Sequence, residues 1–175
     1  MSDETKVVAA AGEPPVRVVG PGAVLRWLRL PAEERPRFVT LYFETVDSQT
    51  HAFGVGSPES IAAIAEVDRL VGRLQAGLSE LPFADEVYLI VVSDHGFKWQ
   101  NNRPATLPYE SEHAASWHSE RGVFLIHHGE LTRDVARGVA TIYDLFPTLI
   151  DIYGLRHTDY EMGRSLLGKP RGLTE

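Results

Sequence analysis

The 175-residue chain contains no cysteine. That absence excludes disulfide frameworks, Cys-ligated zinc fingers, iron–sulfur clusters and thiol nucleophiles, while leaving the compartment open. An excess of basic residues is also missing: 17 Lys and Arg against 24 Asp and Glu give a net charge of −7 with histidines neutral. A general attraction to nucleic acid or anionic lipid is therefore not expected, and an anionic substrate needs a local cation. No apolar run approaches the roughly 18 residues of a membrane span, and the start, residues 1 to 15, lacks the basic-then-apolar order of a signal peptide. As written, the sequence reads as a soluble, cytoplasmic chain without an address.

What is present suits a folded protein. With 43% hydrophobic residues, a chain of this length buries about 70% of its unfolded surface and can build a core without disulfide or metal staples. The length predicts one domain or part of a larger one. Residues 1–21 mix small, polar and proline residues and read as a loose arm with one edge strand at most; residues 22–175 read as the domain. There are no internal repeats.

Residues 22 to 30 fit a short helix ended by Pro31. Residues 38 to 43, Phe-Val-Thr-Leu-Tyr-Phe, form an apolar run rich in aromatic and β-branched residues, as in a strand covered on both faces. Ser57-Pro58-Glu59 resembles a helix cap with proline at the first helical position. Behind it Ile61, Ile64, Val67, Leu70, Val71, Leu74, Leu78 and Leu81 recur at helical steps. A second apolar run, residues 87 to 92, ends in Ser93-Asp94-His95-Gly96. Strand, amphipathic helix and strand predict a βαβ unit with parallel strands, whose carboxyl ends open on one edge of the sheet. The segment from Asp47 to His51, read as a loop, and the Asp94-His95 turn are then expected to face one another there.

Further along, residues 98 to 117 lack periodicity and read as a functional or irregular loop. A third strand is expected over residues 122 to 126. A last helix is expected to begin at Asp144, with Pro147 in its first turn, Leu145, Leu149, Ile150 and Ile152 inward and Gly154 as its stop. Residues 163 to 168 read as a closing loop or short strand.

Seven histidines occur, at positions 51, 95, 113, 118, 127, 128 and 157. Neutral imidazole and carboxylate are zinc ligands, and mixed nitrogen and oxygen sets also suit manganese or iron. Asp47-x-x-x-His51 and Asp94-His95 are each weak alone, but both placed at strand ends they form a candidate metal site. His118 is the best further ligand and His113 its competitor. For His118 to reach the same edge, its strand must run antiparallel to a neighbour or its loop must reach over. His127 and His128 read as one half-buried and one exposed residue, and His157 as an exposed loop residue. Tyr42, Trp99, Asn101, Asn102 and Arg103 are possible pocket residues, although nothing assigns a substrate contact to any of them.

The residues carry a resemblance. Trp27-Leu-Arg-Leu-Pro31, Tyr42-Phe-Glu-Thr-Val-Asp47-Ser-Gln-Thr-His51, Val91-Val-Ser-Asp94-His95-Gly96-Phe97, Trp117-His118, Ile142-Tyr-Asp-Leu-Phe-Pro-Thr148 and Met162-Gly-Arg-Ser-Leu-Leu167 appear in an order and spacing similar to the alkaline phosphatase superfamily. The branch they resemble is that of type I phosphodiesterases and nucleotide pyrophosphatases, over about Val24 to Gly168.

The resemblance implies an α/β fold, an alkaline-phosphatase-like α/β/α three-layer sandwich with a mostly parallel sheet. It also implies a site with two divalent metal ions, zinc in the family, acting on phosphodiester or pyrophosphate bonds of nucleotide-like small molecules; monoesterase or mutase chemistry would share the same ligands. Asp47, His51 and His118 match the ligands of one metal, and Asp94 and His95 match two ligands of the other. The family's amino-terminal motif, an aspartate ligand followed by a threonine or serine nucleophile, has no match. Ser2, Asp3 and Thr5 are poor substitutes, so the chain resembles the carboxyl-terminal half of a catalytic domain, incomplete at its amino-terminal side. One metal is expected to bind to this chain alone. A partner chain or self-association is expected to cover the incomplete sheet. The competing expectation is a non-catalytic, truncated or split fragment that binds metal or pairs with another chain.

Overall fold

The strongest helix is the one whose start signals and apolar spacing agree. In the computed structural model, which describes residues 6–8, 17–18, 20–99, 118–129, 131 and 139–167, helix α3 runs over Pro58–Ser79. The Ser57 hydroxyl accepts a 3.1 Å hydrogen bond from the Ser60 amide, Pro58 occupies the first turn, and Glu59 lies where the helix dipole favours negative charge. Before it come strands β1 (Lys6–Val8) and β2 (Arg17–Val18), helix α1 (Pro21–Leu28), strand β3 (Thr40–Tyr42) and helix α2 (Thr45–Phe53). After it come β4 (Leu89–Val92), β5 (Gly96–Phe97), β6 (His118–Ser119), β7 (Phe124–His127) and helix α4 (Leu145–Ile152).

Val24 of α1, Leu74 and Leu78 of α3, and Leu81 form the buried core, with Leu25, Leu28, Val39, Leu41, Phe83, Val87 and Leu89 packed against it. Each fully buried side chain of this kind contributes about 1.5–3 kcal/mol. The core thus joins α1 and the carboxyl-terminal half of α3 to the starts of β3 and β4. Gly77 allows the close approach of α1, since a Cβ there would stand 2.3 Å from a methyl carbon of Leu25.

Three expectations about this framework are corrected. Asp47 to His51 is a helix: α2 follows β3 after only two residues and stops at Gly54, whose φ of 92° breaks the helical path. The run at 38 to 43 is not covered on both faces, because Phe38 and Tyr42 are 43% and 50% exposed. Along α3, Ile61 and Ile64 point to solvent, while small Ser60 and Ala63 are buried. Helix α2 packs against α3.

All described strand ladders are antiparallel. β1 pairs with both β2 and β3, giving the order β2-β1-β3, while β4 pairs with β7 and β5 with β6. Two of these strands lie within the segment expected as an arm. The parallel pairing of β3 with β4 is not among the described ladders, since each strand takes its described neighbour from elsewhere in the chain. The third expected strand begins two residues late, at Phe124.

In α4 the buried residues are Pro147, Thr148 and Asp151, whereas Leu145, Leu149, Ile150 and Ile152 are only half-buried. A polar anchor accounts for the difference. Asp144 accepts from the Thr141 amide (2.7 Å) and the Arg164 amide (2.8 Å), and the Leu166 amide donates to the Thr148 hydroxyl (3.0 Å). The segment expected as a closing loop or short strand is therefore a loop tied to the start of α4. No helix among the described residues is long and apolar enough to cross a membrane.

Candidate metal centre

Residues four apart on a helix share a face, so α2 presents Asp47 and His51 together, with the Asp47 Oδ1 to His51 Nε2 distance at 3.5 Å. The third group comes from the β5–β6 ladder. There Phe97 pairs with His118 and Gly96 with Ser119, so the antiparallel register sets His118 beside the segment that follows His95. His118 Nε2 lies 3.0 Å from His51 Nε2 and 3.9 Å from Asp47 Oδ1. Among the described residues, Asp47, His51 and His118 form a group able to hold a metal ion, with donor atoms within 4.8 Å of one another.

The donor set fits a divalent cation. Its three atoms form a triangle with sides of 3.0, 3.5 and 3.9 Å. The point equidistant from the corners lies about 2.0 Å from each, the range in which zinc binds imidazole nitrogen and carboxylate oxygen. Asp47 Oδ1 is buried and has no hydrogen-bond partner among the described residues; an acceptor so placed is costly unless a proton or a cation satisfies it. Desolvation, reinforced by the His95 and His51 rings, holds the His118 pKa below the usual histidine value, against the opposing pull of Asp47 and Asp94. The neutral imidazole thereby favoured is the form that ligates metal.

His95 flanks this triad. Its ring stacks on that of His118 at 3.6 Å and 11°, and its Nε2 lies 3.7 Å from Asp47 Oδ1 and 3.8 Å from Asp94 Oδ2. His95 Nδ1 is 3.2 Å from the Gly96 carbonyl oxygen, to which it can only donate, so Nε2 carries the free lone pair. Asp94 itself is exposed. Two tight approaches shape the turn: a Cβ on Gly96 would lie 2.0 Å from the Arg121 carbonyl oxygen, and one on Gly122 would lie 2.1 Å from the Ser93 hydroxyl.

The other candidates lie apart. His127 is exposed and His128 buried, the latter stacked on Tyr88 at 3.8 Å. His157 is not a free surface residue: its Nε2 meets Asp151 at 2.8 Å and its Nδ1 meets Glu161 at 2.5 Å. Trp99 and Tyr42 are exposed. Asn101, Asn102, Arg103 and His113, like Ser2, Asp3 and Thr5, fall outside the described residues. Sequence reasoning missed Phe97, whose ring contacts His51, His95 and His118. An apolar residue directly after His95-Gly96 was the available signal.

Comparison with known proteins agrees with this chemistry. Residues 12–145 match the family model described as type I phosphodiesterase / nucleotide pyrophosphatase. The chain is 51% identical over 76 residues to ectonucleotide pyrophosphatase/phosphodiesterase family member 1 of Mus musculus and 50% identical over 76 residues to that of Homo sapiens, covering 43% of this chain and 8% of each relative. It is 47% identical over 75 residues to a venom phosphodiesterase of Macrovipera lebetinus, covering 43% of this chain and 9% of the relative. The chain thus aligns with less than a tenth of the length of these relatives.

Proposed function

The chain belongs to the type I phosphodiesterase/nucleotide pyrophosphatase family, within the alkaline phosphatase superfamily, and on that premise we propose that it forms part of a metal-dependent site hydrolysing phosphodiester or pyrophosphate bonds. The observation that carries this reading is the convergence of His51 and His118 Nε2 on Asp47 Oδ1, which is buried and has no hydrogen-bond partner among the described residues. Asp47 supplies the anionic ligand, and His51 and His118 the neutral ones. Asp94 and His95 lie on the flank of that group and are assigned to a second divalent ion, supported by the approach of His95 Nε2 to both carboxylates.

A bound divalent cation supplies a Lewis acid that stabilises charge on phosphoryl oxygens and lowers the pKa of a coordinated water. The chain's own contribution is to hold the donors ready. Helix α2 sets the spacing of Asp47 and His51, the β5–β6 ladder places His118, and the Gly96 carbonyl fixes the tautomer of His95. With a net charge of −7, the protein has no general attraction for an anionic phosphate ester, so a local cation is required to bring it in. The substrate is proposed to be a small nucleotide-like phosphodiester or pyrophosphate. No residue of the chain is assigned as the nucleophile.

The test is the zinc content of dialysed protein, read with hydrolysis of bis(4-nitrophenyl) phosphate. About one tightly held zinc per chain, with chelator-sensitive turnover that is lost in Asp47→Asn, is the expected result. Folded protein that retains no zinc would overturn the proposal, and zinc without turnover would leave a metal-binding, non-catalytic chain.

A further inference from the structure

Phe97 lies at the meeting point of three imidazoles. Its ring centroid is 5.1 Å from that of His51, 5.5 Å from His95 and 5.3 Å from His118, with interplanar angles of 76°, 75° and 86°. All three contacts are T-shaped, the arrangement that ring quadrupoles favour at such separations. Because His95 and His118 are stacked nearly parallel, one perpendicular ring braces both while also bracing His51.

Resting on the reading of Asp47, His51 and His118 as a metal centre, we propose that Phe97 is a positioning residue that sets the ring rotation of the three histidines so that their Nε2 atoms converge before any ion arrives. The physical need is clear. The second side-chain torsion of histidine is broad and weakly restrained, and three rings must be oriented together for their Nε2 atoms to converge. His51 and His118 meet each other and Asp47, which are the groups a cation would draw apart or together. Phe97 offers a fixed surface that carries no lone pair and does not compete for the metal. Its own position is fixed by the β5–β6 ladder, in which it pairs with His118. Its apolar ring adds a hydrophobic surface beside the three imidazoles, and such apolar surroundings tune a metal site.

The experiment compares wild type, Phe97→Leu and Phe97→Tyr by zinc affinity against a chromogenic chelator and by imidazole proton resonances in the metal-free protein. Phe97→Leu keeps an apolar side chain without the ring, and its zinc affinity is expected to fall about 10–100-fold, the usual effect of losing a supporting partner. In the metal-free protein the Overhauser contacts between the ring protons of His51 and His118, whose Nε2 atoms lie 3.0 Å apart in wild type, should weaken. Phe97→Tyr keeps the ring and should remain within about threefold of wild type. A space-filling role alone would leave the Leu variant's zinc affinity and its His51–His118 Overhauser contacts at wild-type values, and that result overturns the proposal. Should the Leu variant fail to fold, the Tyr variant decides, since a loss beyond about tenfold despite the retained ring contradicts positioning by the ring. If wild type binds no zinc, the metal-centre reading fails; unchanged Overhauser contacts between the His51 and His118 rings in a folded Leu variant would overturn the Phe97 proposal separately.

Discussion

The Nε2 atoms of His51 and His118 lie 3.0 Å apart across 67 residues of sequence. Two imidazole nitrogens at that distance cannot both present bare lone pairs, so a proton or a cation must sit between them. The pair is built from separate elements, helix α2 and the β5–β6 ladder, and each places the backbone of one of the two residues.

His118→Ala is therefore expected to weaken zinc binding beyond the roughly 10–100-fold typical of lost supporting groups, because it deletes a proposed ligand. His157→Ala should leave zinc binding unchanged, its ring being held by Asp151 and Glu161. Chelator competition on both variants checks this, and equal losses would contradict the ligand assignment.

Gly96→Ala places a Cβ where the Arg121 carbonyl oxygen stands 2.0 Å away. The backbone must shift, and the shift acts on the residues adjoining both His95 and Phe97. A stability loss of about 1–3 kcal/mol together with weaker zinc binding is expected, measured by urea denaturation and chelator competition. Wild-type values in both would show that the turn tolerates the extra carbon.

His157 and Glu161 predict a pH window. Hydrogen bonds to Asp151 and then Glu161 raise the His157 pKa above its ordinary 6.5, so this contribution is complete below pH 6.5 and disappears as pH rises through the higher folded value. His157 in turn lowers the Glu161 pKa from 4.5, so that contribution is complete above pH 4.5 and disappears as pH falls through the lower folded value. Both are complete between those two limits. Thermal midpoints of wild type should decline on the alkaline side of that window, and His157→Gln should flatten the decline; parallel pH profiles would refute it.

Gly163 holds φ at +90°, and a Cβ there would lie 2.4 Å from the Tyr143 carbonyl oxygen. Gly163→Ala combines left-handed strain with a backbone clash, and should destabilise by about 1–3 kcal/mol. Since the neighbouring Arg164 amide donates to Asp144, the loss should appear first as weakened protection of α4 in hydrogen exchange. Unaltered protection would show that the loop relaxes around the new side chain.

Much of the candidate site was legible in sequence, for a local reason. Asp47, His51, Asp94, His95 and His118 are chemically distinctive residues beside recognisable apolar runs, and helix α3 announces itself through Ser57, Pro58 and its apolar repeat. Asp47-x-x-x-His51 also has helical spacing and a glycine stop at Gly54, a signal outweighed by the expectation of a loop after a strand. Strand neighbours were not legible, because hydrogen-bond partners in a sheet are chosen between segments far apart in the chain.

Local chemistry alone therefore marked the candidate cation ligands and where the long helix begins. Tertiary structure decided how they meet. It turned Ile61 and Ile64 outward while burying Ser60 and Ala63, set the described ladders antiparallel, and brought His118 beside His51. It also placed Phe97 among three histidines and tied His157 to two carboxylates. These outcomes depend on packing distances and ladder register between separate elements, which side-chain type and spacing along one segment do not encode.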